Sequence, residues 1–315
     1  MSEQLHDMLA FVLEKEVGLT RSKARSLAYQ FADIEEFFNL EVENLTNIRS
    51  IAGKRILKLT DDEISRILAF KASGNISPDL TVAENFLACI SRDFTRRQLA
   101  MLRILTLEKI NPNPFLIRAL NLDTPEEVVR LNVYMATTRS IVTSMGFFIQ
   151  DILLSSSETV ENGPKNSGWD LIKTAPTGER CWLQIKSGPN NMDKDQIVYW
   201  AEKIEEKISA GDRAYIGITY GKRTNVTVTI GLLKQLLPDW EMRTLIGREL
   251  WDFLSEDPDY SSQLFEILRN SAAKVLQQHS ITDAIEACVG RIKDEFITQY
   301  GEGSQGVSNY MADIF

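Results

Sequence analysis

Residues 169–190 read WDLIKTAPTGERCWLQIKSGPN: two short β-favouring segments, WDLIKT and CWLQIKS, around APTGER, whose Pro and Gly mark a turn. Strand side chains alternate between faces. In CWLQIKS, Leu183 and Ile185 therefore share one face while Trp182, Gln184 and Lys186 share the other. The turn is expected to bring Asp170, on the first strand, beside Gln184. A lysine in mid-strand needs a reason.

Downstream, DKDQIVYWAEKIEEKIS sets Ile197, Trp200, Ala201, Ile204 and Ile208 on one helical stripe. AYIGITY and VTVTIG read as further strands, joined through GITYGKRTN at residues 217–225, where Gly221, Lys222 and Arg223 form either a solvated hairpin or a loop that reaches a DNA groove. A helical connection between strands usually crosses over to a sheet neighbour. The order helix, hairpin, helix, strand, strand thus predicts an α/β fold with a mixed central sheet flanked by helices. Upstream, the polar loop SSSETVENGPKNSG follows one long helix that opens at Thr124 as a cap, with Pro125 at its first position and Glu126 and Glu127 in its first turn.

Farther out, NPNPF at residues 111–115 must interrupt helix, a further helix is expected over residues 82–107, and SGNISPDLT at residues 73–81 reads as a linker. Residues 1–72 carry apolar positions at helical spacing and no strand signal; residues 232–300 return to helix, and the Gly- and Ser-rich tail GEGSQGVSNYMADIF reads as loose unless its end docks on a partner. The expected organisation is an all-α segment over residues 1–75, a helical connector over 76–110 and an α/β region over 111–315.

The chain has 315 residues, 43% hydrophobic and 25% charged, enough for a substantial core, and no run approaches the length of a membrane span or the layout of a signal peptide. A cytoplasmic protein is expected. Cys89, Cys181 and Cys288 are widely spaced and have only His6 and His279 to join them, so neither a disulfide framework nor a zinc site is expected. Neither histidine has neighbours that suggest catalysis, and Trp182 and Trp200 read as core. The formal charge of −9 opposes nucleic-acid binding overall, but binding depends on where Lys and Arg gather, and an acidic exterior is compatible with a basic cleft.

Hydrolysis of a phosphodiester calls for a cation to polarise the phosphate, oxygen ligands to hold it, and a positive group near the developing charge. Asp170 and Gln184 offer the oxygens and Lys186 the ammonium. The set Asp170, then Gln184-Ile185-Lys186, resembles the PD-(D/E)xK nuclease superfamily in the variant where Gln replaces the second acid. The longer run LQIKSGPNNMDKD, and NPFLIRAL before the long helix, are similar to type II restriction endonucleases of the TdeIII-like group, over residues 111–235. The resemblance implies that Asp170, the Gln184 amide oxygen and the Ile185 carbonyl bind Mg²⁺, with Lys186 activating water and stabilising the transition state. A neutral Gln binds metal less strongly than a carboxylate, which leaves room for Asp151, Glu158 or Glu161 as an additional acid. Ser187, Asn190, Asn191 and Lys194 would lie beside the scissile phosphate and the adjacent groove.

Residues 16–59 resemble a tandem helix-hairpin-helix module, with VGLTRSKA and IRSIAGKRI as its two matching pieces. Gly18 and Gly53 would be the pivots, main-chain N–H groups would meet phosphates, and Arg21, Lys23 and Arg25 beside the first turn and Arg49, Lys54 and Arg55 beside the second would add charge. The alternative is a helical bundle used for packing.

Together these resemblances imply a type II restriction endonuclease: Mg²⁺-dependent hydrolysis of double-stranded DNA at a short symmetric site, by a homodimer whose two-fold axis matches the target, alongside a companion DNA methyltransferase and no membrane. A GG/CC-type target is hinted by the TdeIII-like resemblance. Two other readings stand beside it: a structure-specific repair nuclease of the same fold, and a non-catalytic DNA-binding protein with a degenerate nuclease fold.

Overall fold

The computed structural model describes residues 1–41, 45, 48–51, 56–189, 192–225 and 227–314, the side chains of 49, 56 and 227–229 excepted. In chain order its elements are α1 (Glu3–Val12), a π-helical turn (Leu13–Val17), α2 (Arg21–Ala28), α3 (Ile34–Asn39), β1 (Ile48–Arg49), β2 (Ile56–Leu57), α4 (Asp61–Ala72), α5 (Val82–Ile104), α6 (Leu107–Ile110), α7 (Pro114–Ala119) and α8 (Pro125–Leu154). There follow β3 (Val160–Asn162), β4 (Leu171–Thr174), β5 (Arg180–Lys186), α9 (Lys194–Ser209), β6 (Arg213–Ile218), α10 (Thr227–Leu236), β7 (Thr244–Ile246), α11 (Arg248–Ser255), α12 (Tyr260–Leu276), α13 (Ile281–Tyr300) and α14 (Gly303–Ile314). The chain forms two compact units, one of Met1–Ile90 with Phe147–Arg269, the other of Ser91–Gly146 with Asn270–Phe315. Among the described residues no helix is long and apolar enough to cross a membrane.

The first unit is built on a five-stranded sheet of order β3-β4-β5-β6-β7. The β4–β5 hairpin is antiparallel, with Leu171 opposite Leu183 and Thr174 opposite Arg180, and Gly178, at φ +85°, donates to the Ala175 carbonyl at 2.8 Å to close the turn. The β5–β6 and β6–β7 pairs are parallel, and α9 and α10 are the crossovers that parallel neighbours require. The sheet is mixed, as expected. One face packs Leu171, Leu183 and Tyr215 on the N-terminal helices, the end of α8, α11 and α12; the other packs Ile172, Trp182, Ala214, Ile216 and Ile218 on α9 and α10. β5 is thus buried from both sides, and its alternation sorts side chains between two cores.

Several expectations give way here. From Thr227 onward the VTVTIG segment lies in α10 rather than in a strand, because Ile230 and Leu233, with Leu237 just past the helix end, bury at helical spacing into the core with α9; Val226 lies outside the described residues. Local β preference yields to tertiary packing. The strand that pairs with β6 is instead β7, a three-residue TLI inside the region expected to be all helix. β3 lies within the supposed polar loop and pairs antiparallel with β4. In the N-terminal region, expected to lack strands, β1 and β2 form an antiparallel pair with Ile48 opposite Leu57, so the piece read as the second helical hairpin is flanked by strands and not by two helices. Its turn residues, Gly53, Lys54 and Arg55, and the Arg49 side chain lie outside the described residues.

In the second unit, α8 opens on reciprocal bonds: the Glu127 N–H donates to Thr124 Oγ1, and Glu127 Oε2 accepts from the Thr124 N–H and hydroxyl. Asn113 caps α7, with Pro114 at its first position, so NPNPF both ends one helix and starts the next. The tail is α14, not a loose end: Val307 and Tyr310 are buried, and the Tyr310 hydroxyl donates to the Pro112 carbonyl at 2.8 Å.

Candidate active site

Asp170 immediately precedes β4. Its N–H donates to the Leu183 carbonyl at 3.1 Å and its carbonyl accepts from the Gly163 N–H at 2.9 Å, which ties it to both neighbouring chain segments. Its Oδ2 accepts the Ile185 N–H at 2.7 Å, so the carboxylate lies against the β5 main chain between Gln184 and Lys186. Strand alternation puts the three side chains on one face: Ile172, two residues after Asp170, and Trp182, two before Gln184, both pack beneath α9 and α10. Lys186 Nζ donates to Gln196 Oε1 in the first turn of α9 at 3.4 Å, and Gln196 in turn donates through its N–H to Asp193 Oδ1 at 2.8 Å and through Nε2 to Oδ2 at 3.4 Å.

The electrostatics of this group are unusual for a stable interior. Burial pushes the Asp170 carboxyl above the ordinary carboxylate range, although the Ile185 N–H and the Lys186 charge pull it down. Gln184 is only 6% exposed, and its Oε1 is buried with no hydrogen-bond partner among the described residues. An orphaned buried acceptor of this kind costs roughly 1–3 kcal/mol. The other mid-sheet lysine makes the contrast plain: Lys173, on β4, is buried on the opposite face, donates to the Phe253 and Leu254 carbonyls at the end of α11 and pairs with Glu256.

Among the described residues no three His, Cys, Asp or Glu side chains gather as a metal cluster. The donors present at the site are a carboxylate, an amide oxygen and main-chain carbonyls. That set fits a hard cation such as Mg²⁺, which binds oxygen and keeps several of its own waters.

The remaining sequence-derived residues are distributed as follows. Glu158 and Glu161 border a cavity of about 460 Å³ shared with Glu3, Asp7 and Phe11. Glu161, on the edge strand β3, pairs with Ile172, so alternation also directs its side chain to the Asp170 face. Asp151 is half-buried on α8. The Ser187 carbonyl accepts the Thr219 hydroxyl at 3.2 Å; Lys194 is exposed at the start of α9; Asn190 and Asn191 lie outside the described residues. Trp182 and Trp200 are buried around Trp169, as core. Gln196 escaped the sequence reading. Its signal is the Asp193 cap, which sets Gln196 in the first turn of the helix that follows the Lys186 strand.

In the N-terminal region, α1, the π-helical turn and α2 form a hairpin that pivots at Gly18, whose φ is +72°. Arg66 Nη1 donates to the Val17 carbonyl at 2.6 Å and the Gly18 carbonyl at 3.1 Å, closing the turn. Arg21 is exposed. Lys23 is engaged by both Glu63 oxygens, at 2.8 and 2.7 Å, and Arg25 by Asp7, at 2.9 and 3.3 Å.

Against this architecture, residues 82–277 match a family of type II restriction endonucleases. That family is the one described as type II restriction endonuclease EcoO109I, and because the match covers well over half of the chain, the chain belongs to it. The match runs from α5 to the end of α12 and includes all of β3–β7 with Asp170, Gln184 and Lys186; residues 1–81 lie outside it. No curated protein matches the chain. The family is one of site-specific DNA-cutting enzymes, which makes DNA the macromolecular partner.

Proposed function

We propose that this chain cuts both strands of duplex DNA at a short symmetric sequence, as a homodimer, by Mg²⁺-dependent hydrolysis on a PD-(D/E)xK core of the QxK form. The observation that carries the reading is the buried Gln184 Oε1, without a partner among the described residues, beside the half-buried Asp170 carboxylate whose pKa desolvation has raised. Native interiors satisfy nearly all their polar atoms. One such oxygen beside a carboxylate, Asp170, that burial disfavours as an anion supports a cation shared by the two.

Asp170, the Gln184 amide oxygen and the Ile185 carbonyl would hold the Mg²⁺ ion, with Glu161 favoured by register over Asp151 and Glu158 as an additional acid. When bound, the ion polarises the scissile phosphate and acidifies the attacking water. The Ile185 N–H fixes Asp170 Oδ2 and so orients the carboxylate. Lys186, held by Gln196, directs its ammonium at the water and at the charge that grows on the phosphate. Ser187, Asn190, Asn191 and Lys194 contact the DNA next to the cut. The α1–α2 hairpin adds sequence-independent grip through Arg21, with Lys23 and Arg25 beside it paired to Glu63 and Asp7, and Arg49, Lys54 and Arg55 of the second piece add further contacts to phosphate. A companion DNA methyltransferase protects the same sequence.

The test is incubation of the purified protein with plasmid DNA in Mg²⁺ and, separately, in EDTA. The expected result is discrete fragments in Mg²⁺ alone, whose ends, read by run-off sequencing, share one short palindrome. A smear, or intact plasmid in both tubes, would refute the proposal.

A further inference from the structure

Beyond Lys186 the ends of β5, β6 and β7 converge. The Thr219 N–H donates to the Lys186 carbonyl at 3.0 Å and the Gly247 N–H to the Ile218 carbonyl at 2.8 Å. The buried indole of Trp251 donates to the Thr219 carbonyl at 2.9 Å. On the far side of this loop Arg223 is clamped by Glu249, at 3.2 and 2.7 Å, and by the Thr244 hydroxyl and carbonyl, at 2.9 and 3.0 Å. Arg223 is therefore an anchor, and the segment from Thr219 to Arg223 is held at both ends.

Between the anchors stands Tyr220, 61% exposed, its hydroxyl without a hydrogen-bond partner among the described residues. Its ring lies on Gly188: a Cβ at position 188 would meet the Tyr220 hydroxyl at 2.6 Å, Cζ at 3.0 Å and Cε1 at 3.2 Å. In the parallel register Lys186 pairs with Ile218. Gly188 and Tyr220 each follow two residues later, in the bends just past the ends of β5 and β6. A large phenol seated on a bare main chain, rigidly mounted at the carboxyl ends of parallel strands where α/β sheets receive their ligands, is a contact that lacks its counterpart.

We infer that Tyr220 is a DNA-contact residue, laid across Gly188 so that its hydroxyl donates to a backbone phosphate next to the one being cut and sets the phosphodiester over Lys186. The inference rests on the nuclease reading above. It gives Gly188 a task as well: absence of a side chain there is what lets the ring lie flat.

The experiment uses the full-length protein and a labelled duplex containing a sequence that the wild type cuts. Tyr220→Phe should lower kcat/KM roughly tenfold, the order of a lost hydrogen bond to a charged group. With Ca²⁺ in place of Mg²⁺, it should weaken binding equally on cut and unrelated duplexes. Gly188→Ala, which displaces only the far end of a flexible side chain, should reproduce the loss, and combined with Tyr220→Ala should be no worse than Tyr220→Ala alone. A photo-crosslinking benzophenone amino acid at position 220 should attach to the strand within a nucleotide or two of the cut. Full activity in Tyr220→Phe, or absence of the crosslink from a protein that otherwise cuts, overturns the inference and leaves the nuclease reading standing. A wild-type protein that neither cuts nor binds DNA removes both.

Discussion

In the α1–α2 hairpin, Lys23 gives two hydrogen bonds to Glu63 and Arg25 two to Asp7. At the β4–β5 hairpin, by contrast, Gln184 Oε1 has no partner among the described residues and Asp170 keeps its carboxylate half-buried. The first region satisfies its charges internally, so it is stable as it stands and has fewer free cations for phosphate than its sequence suggests. The second holds polar groups in a state that costs folding free energy, which is what the proposed cation site would require of it before the ion binds.

The two regions also respond to pH in opposite directions. For Glu63, burial alone would raise the pKa, but the bonds from Lys23 and Thr60 hold it below the ordinary carboxylate range. Its stabilisation is present above the unfolded pKa and is lost as the pH falls through the lowered folded value. For Asp170 the folded pKa is raised, so its contribution is favourable below the unfolded pKa and is lost as the pH rises through the folded value. On the proposed reading, ionised Asp170 would destabilise the metal-free protein and a divalent cation would relieve it.

The largest expected effect separates chemistry from binding. Lys186→Ala should slow cutting by roughly 10²–10³-fold or more, measured as single-turnover rate on plasmid, while affinity for duplex DNA in Ca²⁺ stays within about twofold; a comparable loss of affinity would break the contrast. Next, Asp170→Asn should also stop cutting, yet its melting temperature at pH 8 without metal should equal or exceed that of the wild type. The wild type alone should gain from Mg²⁺, by about 2.7 kcal/mol at a hundred times the Kd, and that gain should shrink as the pH falls.

The structural region should show the reverse pattern. Lys23→Ala leaves the largely buried Glu63 charge with only its bond from the Thr60 N–H, and should cost about 1–3 kcal/mol in urea unfolding at pH 7. This difference should narrow as the pH falls through the carboxylate range, with little change in cutting rate. The smallest effect belongs to Arg21→Ala, whose exposed side chain should reduce the slope of log affinity against log salt by about one on every duplex alike. A loss confined to one sequence would instead make Arg21 a reader of bases.

The parts of the fold that could be read from sequence were those whose side-chain period is long enough to be unambiguous. β4, β5, α8 and α9 each repeat their pattern over several residues, and the turn at Gly178 has the chemistry its geometry needs. The candidate site followed because Asp170, Gln184 and Lys186 lie on one hairpin, where local spacing already fixes proximity. β3 and β7 are three residues each, too short for a period, and exist only because a neighbouring strand is there to pair with. α10 hid behind a β-branched run whose neighbours decide its conformation. α14 reads as loose because Gly and Ser disfavour helix locally, while the burial of Val307 and Tyr310, one helical turn apart, is a tertiary effect. Gln196 and the placement of Tyr220 within its loop are not legible for a different reason: each reaches the end of β5 from another element, and a single sequence carries no sign of such a contact.

The central claim, that the oxygens of Asp170 and Gln184 await a divalent cation, is tested most directly by titrating Mn²⁺, as a paramagnetic substitute for Mg²⁺, into the full-length protein and counting bound ions by electron paramagnetic resonance, for the wild type and for Asp170→Ala. The account predicts saturable binding in the wild type that disappears in the variant while the circular dichroism of the two proteins stays the same. Equal Mn²⁺ uptake by both proteins would contradict it.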